Sequence, residues 1–307
     1  MRKDLLSEND LEKVDFDAIF RRAAVLKERQ KHNDNSPTLS GKVLGMIFEK
    51  ASTRTRLSFE VGMYQLGGLA IFLSGKDTQL GRGESVADTA KVMSRYVDAI
   101  MIRTYKQEVL EDFARNASIP VINGLTDLLH PCQILTDIFT IIERRKTYEG
   151  VHIAYVGDGN NIANSWINAA AKLPIRCTLA CPQGYDPDQG ILEYASKNNA
   201  DVALYRDPVK AVKKADVIYT DVWASMGREE EYKERIKRFK DYQVNEELVK
   251  HAKKDALIMH CLPAHRGEEI TAGVIDGEHS VIYDQAENRL HVQKAILEIL
   301  LSEGKGS

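Results

Sequence analysis

Val43-Leu44-Gly45-Met46-Ile47-Phe48-Glu49-Lys50-Ala51-Ser52-Thr53-Arg54-Thr55-Arg56 reads as a buried strand that gives way to a helix. Its first six residues are apolar and flanked by Gly41 and Lys50, the pattern of a parallel-sheet strand covered on both faces. Leu57, Phe59, Val61, Met63 and Leu66 follow at mixed helical spacing. The turn between strand and helix places unpaired backbone N–H groups at the positive end of a helix dipole, which attracts an anion. Ser52, Thr53 and Thr55 add hydroxyl donors, and Arg54 and Arg56 add planar forks that match a phosphate. A plainer reading has Ser52 cap the helix and the arginines pair with Glu49 and Glu60. Two arginines alternating with two threonines in one turn favour the anion, because cations stacked at a helix N-terminus are unfavourable without one.

Outward from this turn, apolar runs alternate with helical patterns, the signature of βα repeats around parallel sheets. Strands are expected at 43–48, 69–73, 98–102 and 119–122, with helices near 54–67, 85–96 and 106–116 and a long one from Pro131 to about Arg145. The polar tail Glu143 to Gly150 then precedes a new apolar strand and marks a domain boundary, giving domains at 1–146 and 147–285. The second series places strands at 151–156, 175–180, 201–205, 215–220, 256–260 and 280–283, with helices near 161–172, 188–197, 207–214 and 245–253. The fold class expected is α/β, with two doubly wound parallel-sheet domains. The closing segment 286–307 carries Ala295, Ile296, Ile299 and Leu300 on one side and should dock. The charged run Arg228 to Lys240 reads as solvated and mobile.

A length of 307 residues accommodates two ordinary domains, and 43% hydrophobic with 28% charged residues describes a globular chain. A net charge of -3 argues against a general nucleic-acid binder. No apolar run reaches the roughly 18 residues of a membrane span, and Met1-Arg2-Lys3-Asp4 lacks the apolar core of a signal peptide, so a cytoplasmic location is expected. Cys132, Cys177, Cys181 and Cys261 are too scattered for a disulfide framework. Cys177 lies within a strand pattern and no second Cys/His pair follows Cys181, so zinc is not expected there.

Ligands of open α/β sheets bind beyond the carboxyl ends of the strands, and several unusual clusters fall there. Arg103 ends the strand Ala99 to Ile102 and would stand beside the Ser52 to Arg56 turn; in isolation it would be a surface ion pair. His130-Pro131-Cys132-Gln133 opens the long helix with proline in its first turn, so that His130 can donate to a carbonyl oxygen or simply cap the helix. The polar loop Gly75 to Glu84 offers Gln79 and Arg82 to an anion. Gly157-Asp158-Gly159-Asn160-Asn161 follows a strand like a dinucleotide fingerprint, but two asparagines stand where the third glycine is needed, and their amides suit a small substrate better. Asp221, straight after the strand Val217 to Thr220, is placed to hold an ammonium, and Ser225-Met226-Gly227 suits a folding lid. His260-Cys261-Leu262-Pro263 leaves a strand through a proline that biases the backbone before it to extended geometry. Cys261 as a nucleophile with His260 or His265 as base lacks an accompanying oxyanion-hole signature.

Together, Ser52-Thr53-Arg54-Thr55-Arg56, His130-Pro131-Cys132-Gln133, Asp221 with Ser225-Met226-Gly227, and His260-Cys261-Leu262-Pro263 closely resemble the ornithine carbamoyltransferases over essentially the whole chain. The first two motifs are shared with the aspartate carbamoyltransferases; the last two point to ornithine. The resemblance implies an active site in the cleft between the two domains, with Ser52, Thr53, Arg54 and Thr55 on the phosphate. It implies that Arg103, His130, Pro131, Cys132 and Gln133 address the carbamoyl end, with Cys261, Leu262 and Arg289 as further contacts. Asn161, Asp221, Ser225 and Met226 correspond to ornithine positions, and Gln79 to a loop that completes a neighbouring subunit's site. Arg103, His130, Asp221 and Cys261 are the implied catalytic set. Also implied are a trimer or a multiple of trimers, a last helix that returns to the first domain, no metal or cofactor, no nucleic-acid or membrane partner, and a place in arginine metabolism. A sister enzyme acting on putrescine or an acylated ornithine, a nicotinamide-dependent dehydrogenase and a catalytically silent paralogue are the competing readings.

Overall fold

A computed structural model of the chain describes residues 3–34, 37–75, 83–224 and 232–302. They form two compact units, Met1–Phe139 with Glu287–Ser307, and Thr140–Ala286. The first boundary, after Phe139, falls within the helix Pro131–Arg145 and a few residues before Lys146, where the sequence alone places it.

The first unit holds a four-stranded parallel sheet of β1 (Val43–Phe48), β2 (Leu69–Ser74), β3 (Ala99–Arg103) and β4 (Val121–Leu125), in the order β2-β1-β3-β4. The connections carry α2 (Thr53–Gln65), α3 (Val86–Met93) and α4 (Gln107–Asn116), and α5 (Pro131–Arg145) follows β4. Ile47, Ile100, Ile102, Leu110, Phe113 and Val121 form one buried cluster between sheet and helices. Truncating a core phenylalanine such as Phe113 to alanine typically costs about 3–5 kcal/mol. Ahead of the sheet, α1 (Lys13–Lys31) is a helix that the strand-centred reading of the sequence passes over. The chain runs one way from β1 to β2 and then crosses to β3 on the other side, so the topological switch point lies between β1 and β3. There Phe48 is in register with Arg103, and the Glu49 N–H donates to the Arg103 carbonyl at 2.9 Å.

The second unit holds β5 (His152–Val156), β6 (Arg176–Ala180), β7 (Val202–Tyr205), β8 (Val217–Thr220) and β9 (Leu257–His260), all parallel, in the order β7-β6-β5-β8-β9. Its helices are α6 (Asn161–Lys172), α7 (Gln189–Lys197), α8 (Pro208–Val212), α9 (Tyr232–Phe239), α10 (Glu246–Val249) and α11 (Ala272–Ile275). Its switch point lies between β5 and β8. Two local expectations fail here. Residues 280–283 are not a strand: Ser280 makes one bridge to Ile258, and α12 (Ile282–Ser302) starts two residues later. The charged run Arg228 to Lys240 is not simply solvated, because Tyr232–Phe239 is helical with Arg235 and Phe239 buried.

Residues 287–302 of α12 belong to the first unit and bond to its helices. Lys27 Nζ donates to Asn288 Oδ1 at 2.7 Å, Arg22 Nη2 to Glu298 Oε1 at 2.9 Å, and Lys294 Nζ to Gln30 and Gln65 at 2.9 and 2.8 Å.

Candidate active site

In the first unit, the β1–α2 turn and the ends of β3 and β4 bring the cationic side chains together. Ser52 is the N-cap of α2 with extended backbone, and its Oγ accepts the Thr55 N–H at 3.2 Å. Thr55 is buried, and its hydroxyl accepts from Arg289 Nη2 at 3.0 Å; Arg289 Nη1 donates to Gln133 Oε1 at 2.5 Å. Gln133 in turn donates to Asp137 at 2.8 Å, which fixes its amide. His130 and Arg103 are both buried. Burial first, then the charges of Arg289, Arg103 and Arg54, hold the His130 imidazole well below its usual pKa. It is therefore neutral at pH 7, with the charges of three guanidinium groups acting on it. Such a concentration of positive charge is the complement of a phosphate with an adjoining carbonyl.

Arg56 does not join them. Its Nε donates to Glu60 at 2.9 Å, and its guanidinium lies 3.9 Å from the centroid of the Phe72 ring, so the plainer reading holds for this arginine. Lys50 pairs with Asp127 and lies over the Tyr105 ring. A cavity of about 1040 Å³ opens here, lined by Ser52, Thr53, Arg56, Phe72 and Tyr105 among others.

In the second unit, the β5–α6 turn and the ends of β8 and β9 form a different cluster. Asn160 caps α6, its Oδ1 accepting from the N–H groups of Ile162 and Ala163, while its Nδ2 donates to Asp221 Oδ2 at 2.7 Å. Tyr155 donates its hydroxyl to the same Asn160 Oδ1 at 3.2 Å. Burial, followed by the charges of Asp221 and Asp158, raises its pKa and keeps it a donor. Asp221 Oδ1 accepts from the Val222 N–H at 2.8 Å and from Cys261 Sγ at 3.1 Å. Asp158 is held by Arg235, Nη1 to Oδ2 at 2.7 Å, and the same nitrogen donates to the Trp223 carbonyl at 2.6 Å.

Gly159 is needed because a Cβ there would meet the Asp186 and Pro187 backbone at 2.2–2.6 Å. The space a pyrophosphate would take against this glycine is thus filled by the chain itself, which disfavours the dinucleotide reading. Asp221, His260 and Cys261 present ligand atoms within 4.8 Å of one another. Both nitrogens of His260 are already engaged, Nδ1 by the Leu262 N–H and Nε2 by Glu269, so the ring has no lone pair to give a metal. A second cavity, of about 1010 Å³, lies at the amino ends of β5, β6 and β8 and is lined by Lys172, Arg176, Lys213, Lys214 and Lys253. Lys172 and Lys213 sit at the carboxyl ends of α6 and α8, where cations complement the helix dipoles, and Lys253 pairs with Asp216 at 2.7 Å.

Residues 3–143 match the carbamoyl phosphate-binding domain, and residues 149–300 the aspartate/ornithine-binding domain, of the aspartate/ornithine carbamoyltransferases. The chain belongs to this family. It is 66% identical to an ornithine carbamoyltransferase of Syntrophus aciditrophicus over 302 residues, 98% of this chain and all of that one. Among solved structures, ornithine carbamoyltransferase from Pyrococcus furiosus matches with a TM-score of 0.94 and 52% identity, covering 99% of this chain and 98% of that one. The anabolic ornithine carbamoyltransferase of Campylobacter jejuni matches with a TM-score of 0.92 and 41% identity, covering 98% of this chain and the whole of that one.

Within this carbamoyltransferase fold, the motif residues fall where strands end. Ser52, Thr53, Arg54, Thr55, Arg103, His130, Gln133 and Arg289 are gathered in the first unit, and Asn161, Asp221, Cys261 and Leu262 follow β5, β8 and β9 in the second. Pro131 and Cys132 open α5, but the Cys132 thiol turns into the core and donates to the Asn123 carbonyl at 3.4 Å. Gln79, Ser225, Met226 and Gly227 lie outside the described residues. Asn160 and Asp158 lie in the quoted Gly157 to Asn161 turn, where the sequence offers the Asn160 amide to a substrate but shows neither residue as a partner of Asp221 or Arg235; Arg235 and Glu269 are the residues the sequence motifs do not reveal. Arg235 had a usable signal: Tyr232, Ile236 and Phe239 recur at helical spacing inside the charged run.

Proposed function

We propose that this protein transfers the carbamoyl group of carbamoyl phosphate to the δ-amine of L-ornithine, giving L-citrulline and phosphate. The observation that carries the reading is the convergence of Arg54, Arg103 and Arg289 on a neutral, buried His130. The similarity to ornithine carbamoyltransferases supports ornithine as the acceptor. The neutral amine attacks the carbonyl carbon, and the tetrahedral centre collapses with departure of phosphate. Neither a covalent enzyme intermediate nor a metal is required by this chemistry, since phosphate is already a good leaving group. Arg103 and His130 stabilise the developing oxyanion; losing one such donor typically costs 10²–10³-fold in rate, about 2.7–4 kcal/mol. Ser52, Thr53, Arg54, Thr55 and the α2 N-terminus stabilise the leaving phosphate, with Arg289 and Gln133 behind them. Asp221 orients the amine with Cys261 beside it. By the family pattern, Asn161, Ser225 and Met226 complete the ornithine side, Leu262 contacts the carbamoyl group, and Gln79 serves a neighbouring subunit.

The working form is a trimer or a multiple of trimers in the cytoplasm, a compartment that suits four free cysteines. An apolar face supports the oligomer. Leu57, Val61 and Tyr64 form an exposed stripe on α2, and Leu69 and Ile71 are exposed on the neighbouring edge strand β2. Among the described residues no helix is long and apolar enough to cross a membrane.

The test is one preparation assayed with carbamoyl phosphate and, side by side, ornithine, N-acetylornithine, putrescine and aspartate, and weighed by sedimentation. Citrulline formation from ornithine outpacing every other acceptor is expected, from a particle of three chains or a multiple. A faster reaction with another amine, or a monomer, would overturn the corresponding part of the proposal.

A further inference from the structure

The loop that presents Cys261 is tied at both ends to one buried pair. His260 closes β9 and Glu269 lies beyond the loop, both side chains fully buried. The Leu262 N–H donates to His260 Nδ1 at 2.9 Å. A backbone N–H can only donate, so Nδ1 holds the lone pair and the ring proton sits on Nε2. Nε2 lies 3.1 Å from Glu269 Oε1, which also accepts the His265 N–H at 2.6 Å. Leu262 and His265 are thereby anchored through the same carboxylate–imidazole pair. The His260 backbone is fixed as well, its N–H donating to Gln285 Oε1 at 3.0 Å and Gln285 Nε2 to the Tyr219 hydroxyl at 3.1 Å.

The anchor acts on a strained backbone. Leu262, expected to be extended because it precedes Pro263, instead has φ 57°, a left-handed conformation that a branched L-residue adopts only at a cost of about 1–2 kcal/mol. Its N–H bond to His260 helps to offset this cost. Cys261, the residue between them, is thereby aimed at Asp221, Sγ to Oδ1 at 3.1 Å.

We propose that His260 and Glu269 are positioning residues for the amine-binding side: Glu269 fixes the Nε2–H tautomer of His260, whose Nδ1 locks Leu262 and so sets Cys261 against Asp221. This rests on the reaction proposed above. Neither residue touches the reacting atoms; their effect runs through Leu262 and Cys261.

Two isosteres separate this role from mere packing. In His260→Asn the amide oxygen occupies the place of Nδ1 and can still accept from Leu262. In His260→Gln the amide nitrogen occupies the place of Nε2, keeping the link to Glu269 but losing the acceptor. The ornithine KM should stay within about threefold of wild type in His260→Asn and rise about tenfold or more in His260→Gln, the scale of one lost buried hydrogen bond, with the carbamoyl phosphate Kd unmoved in both. Equal effects of the two substitutions, or parallel losses for both substrates, would overturn the assignment. Because a buried site can fail to fold when altered, the wild-type protein provides the second measurement. Its ¹⁵N-histidine spectrum at neutral pH should show His260 as the Nε2–H tautomer, and the Nδ1–H tautomer would overturn the proposal. Failure of wild type to use ornithine would strike the reaction assigned above and leave the tautomer result standing, so the two failures are distinguishable.

Discussion

The two sheets put their functional side chains in the same topological place and use opposite chemistry there. At the β1/β3 switch point, the charges of Arg54, Arg103 and Arg289 act on a neutral, buried histidine; at the β5/β8 switch point, one carboxylate is held by an amide, a backbone N–H and a thiol. The contrast follows from the proposed ligands. A phosphate is charged at every working pH and leaves as an anion, so permanent cations at a helix N-terminus serve it throughout the reaction. An amine must be neutral to attack. Strong negative charge around it would favour the ammonium, so its side of the reaction is better served by a single carboxylate whose lone pairs are partly spent on Asn160, Val222 and Cys261.

The largest effect should come from the charged half. Arg54→Gly is expected to lower kcat/KM by about 10³-fold or more, because it removes a cation that acts on the leaving group. Steady-state kinetics on a variant whose melting temperature matches wild type would check this. Activity within tenfold of wild type would mean that the α2 N-terminus and Arg289 suffice, and that Arg54 is redundant within the cationic half.

Asp221→Asn tests the other half and should be smaller, about 10²-fold in kcat/KM for ornithine, because the site loses a charge but keeps much of its shape. Asn160 Nδ2 would then meet either an amide oxygen or another NH₂ group, depending on how the new side chain turns. Inhibition by inorganic phosphate should be unchanged. If phosphate affinity fell as far as ornithine use, the division between the two chemistries would be wrong.

The difference in chemistry also decided what could be read from the sequence. Arg54, Arg103 and His130 are legible because each stands directly after or at the opening of an element, in a short string rich in charge. The βα alternation likewise gives the nine strands of the described residues to within a few residues, with one extra at 280–283, since buried parallel strands are continuous apolar runs. The second half hides its working parts in ordinary residues. Asn160 rather than Asn161 reaches Asp221 because the side chain of the capping position points back over the turn, which spacing alone does not show. Arg235 lies in a run of exposed charges, yet is buried over the Tyr185 ring at 4.9 Å and bonded to Asp158. Glu269 follows Glu268 with nothing to distinguish it, and only folding brings it to His260. Arg56 errs the other way: it shares the motif of Arg54 but spends its charge on Glu60.

The smallest predicted effect lies in stability and contrasts a histidine from each half. His130 is depressed by burial and by the charges of Arg289, Arg103 and Arg54, whereas His152, at the start of β5, is depressed by burial and Arg176. With a folded pKa below the unfolded value of about 6.5, each native histidine binds fewer protons than the unfolded chain as the pH falls through 6.5. Stability is therefore complete above that pH and declines below it, at a limiting slope of about 1.4 kcal/mol per pH unit for each group. Replacing His130 with glutamine should flatten the decline between pH 6.5 and 5 in urea unfolding, leaving the part due to His152 and the carboxylates. His152→Gln should flatten it less, because fewer cations face that ring and Asp216 and Asp201 act in the opposite direction. Equal flattening by the two substitutions would show that burial dominates both shifts. The guanidinium cluster would then carry no more electrostatic weight in the unliganded protein than a single arginine at the far edge of the other sheet.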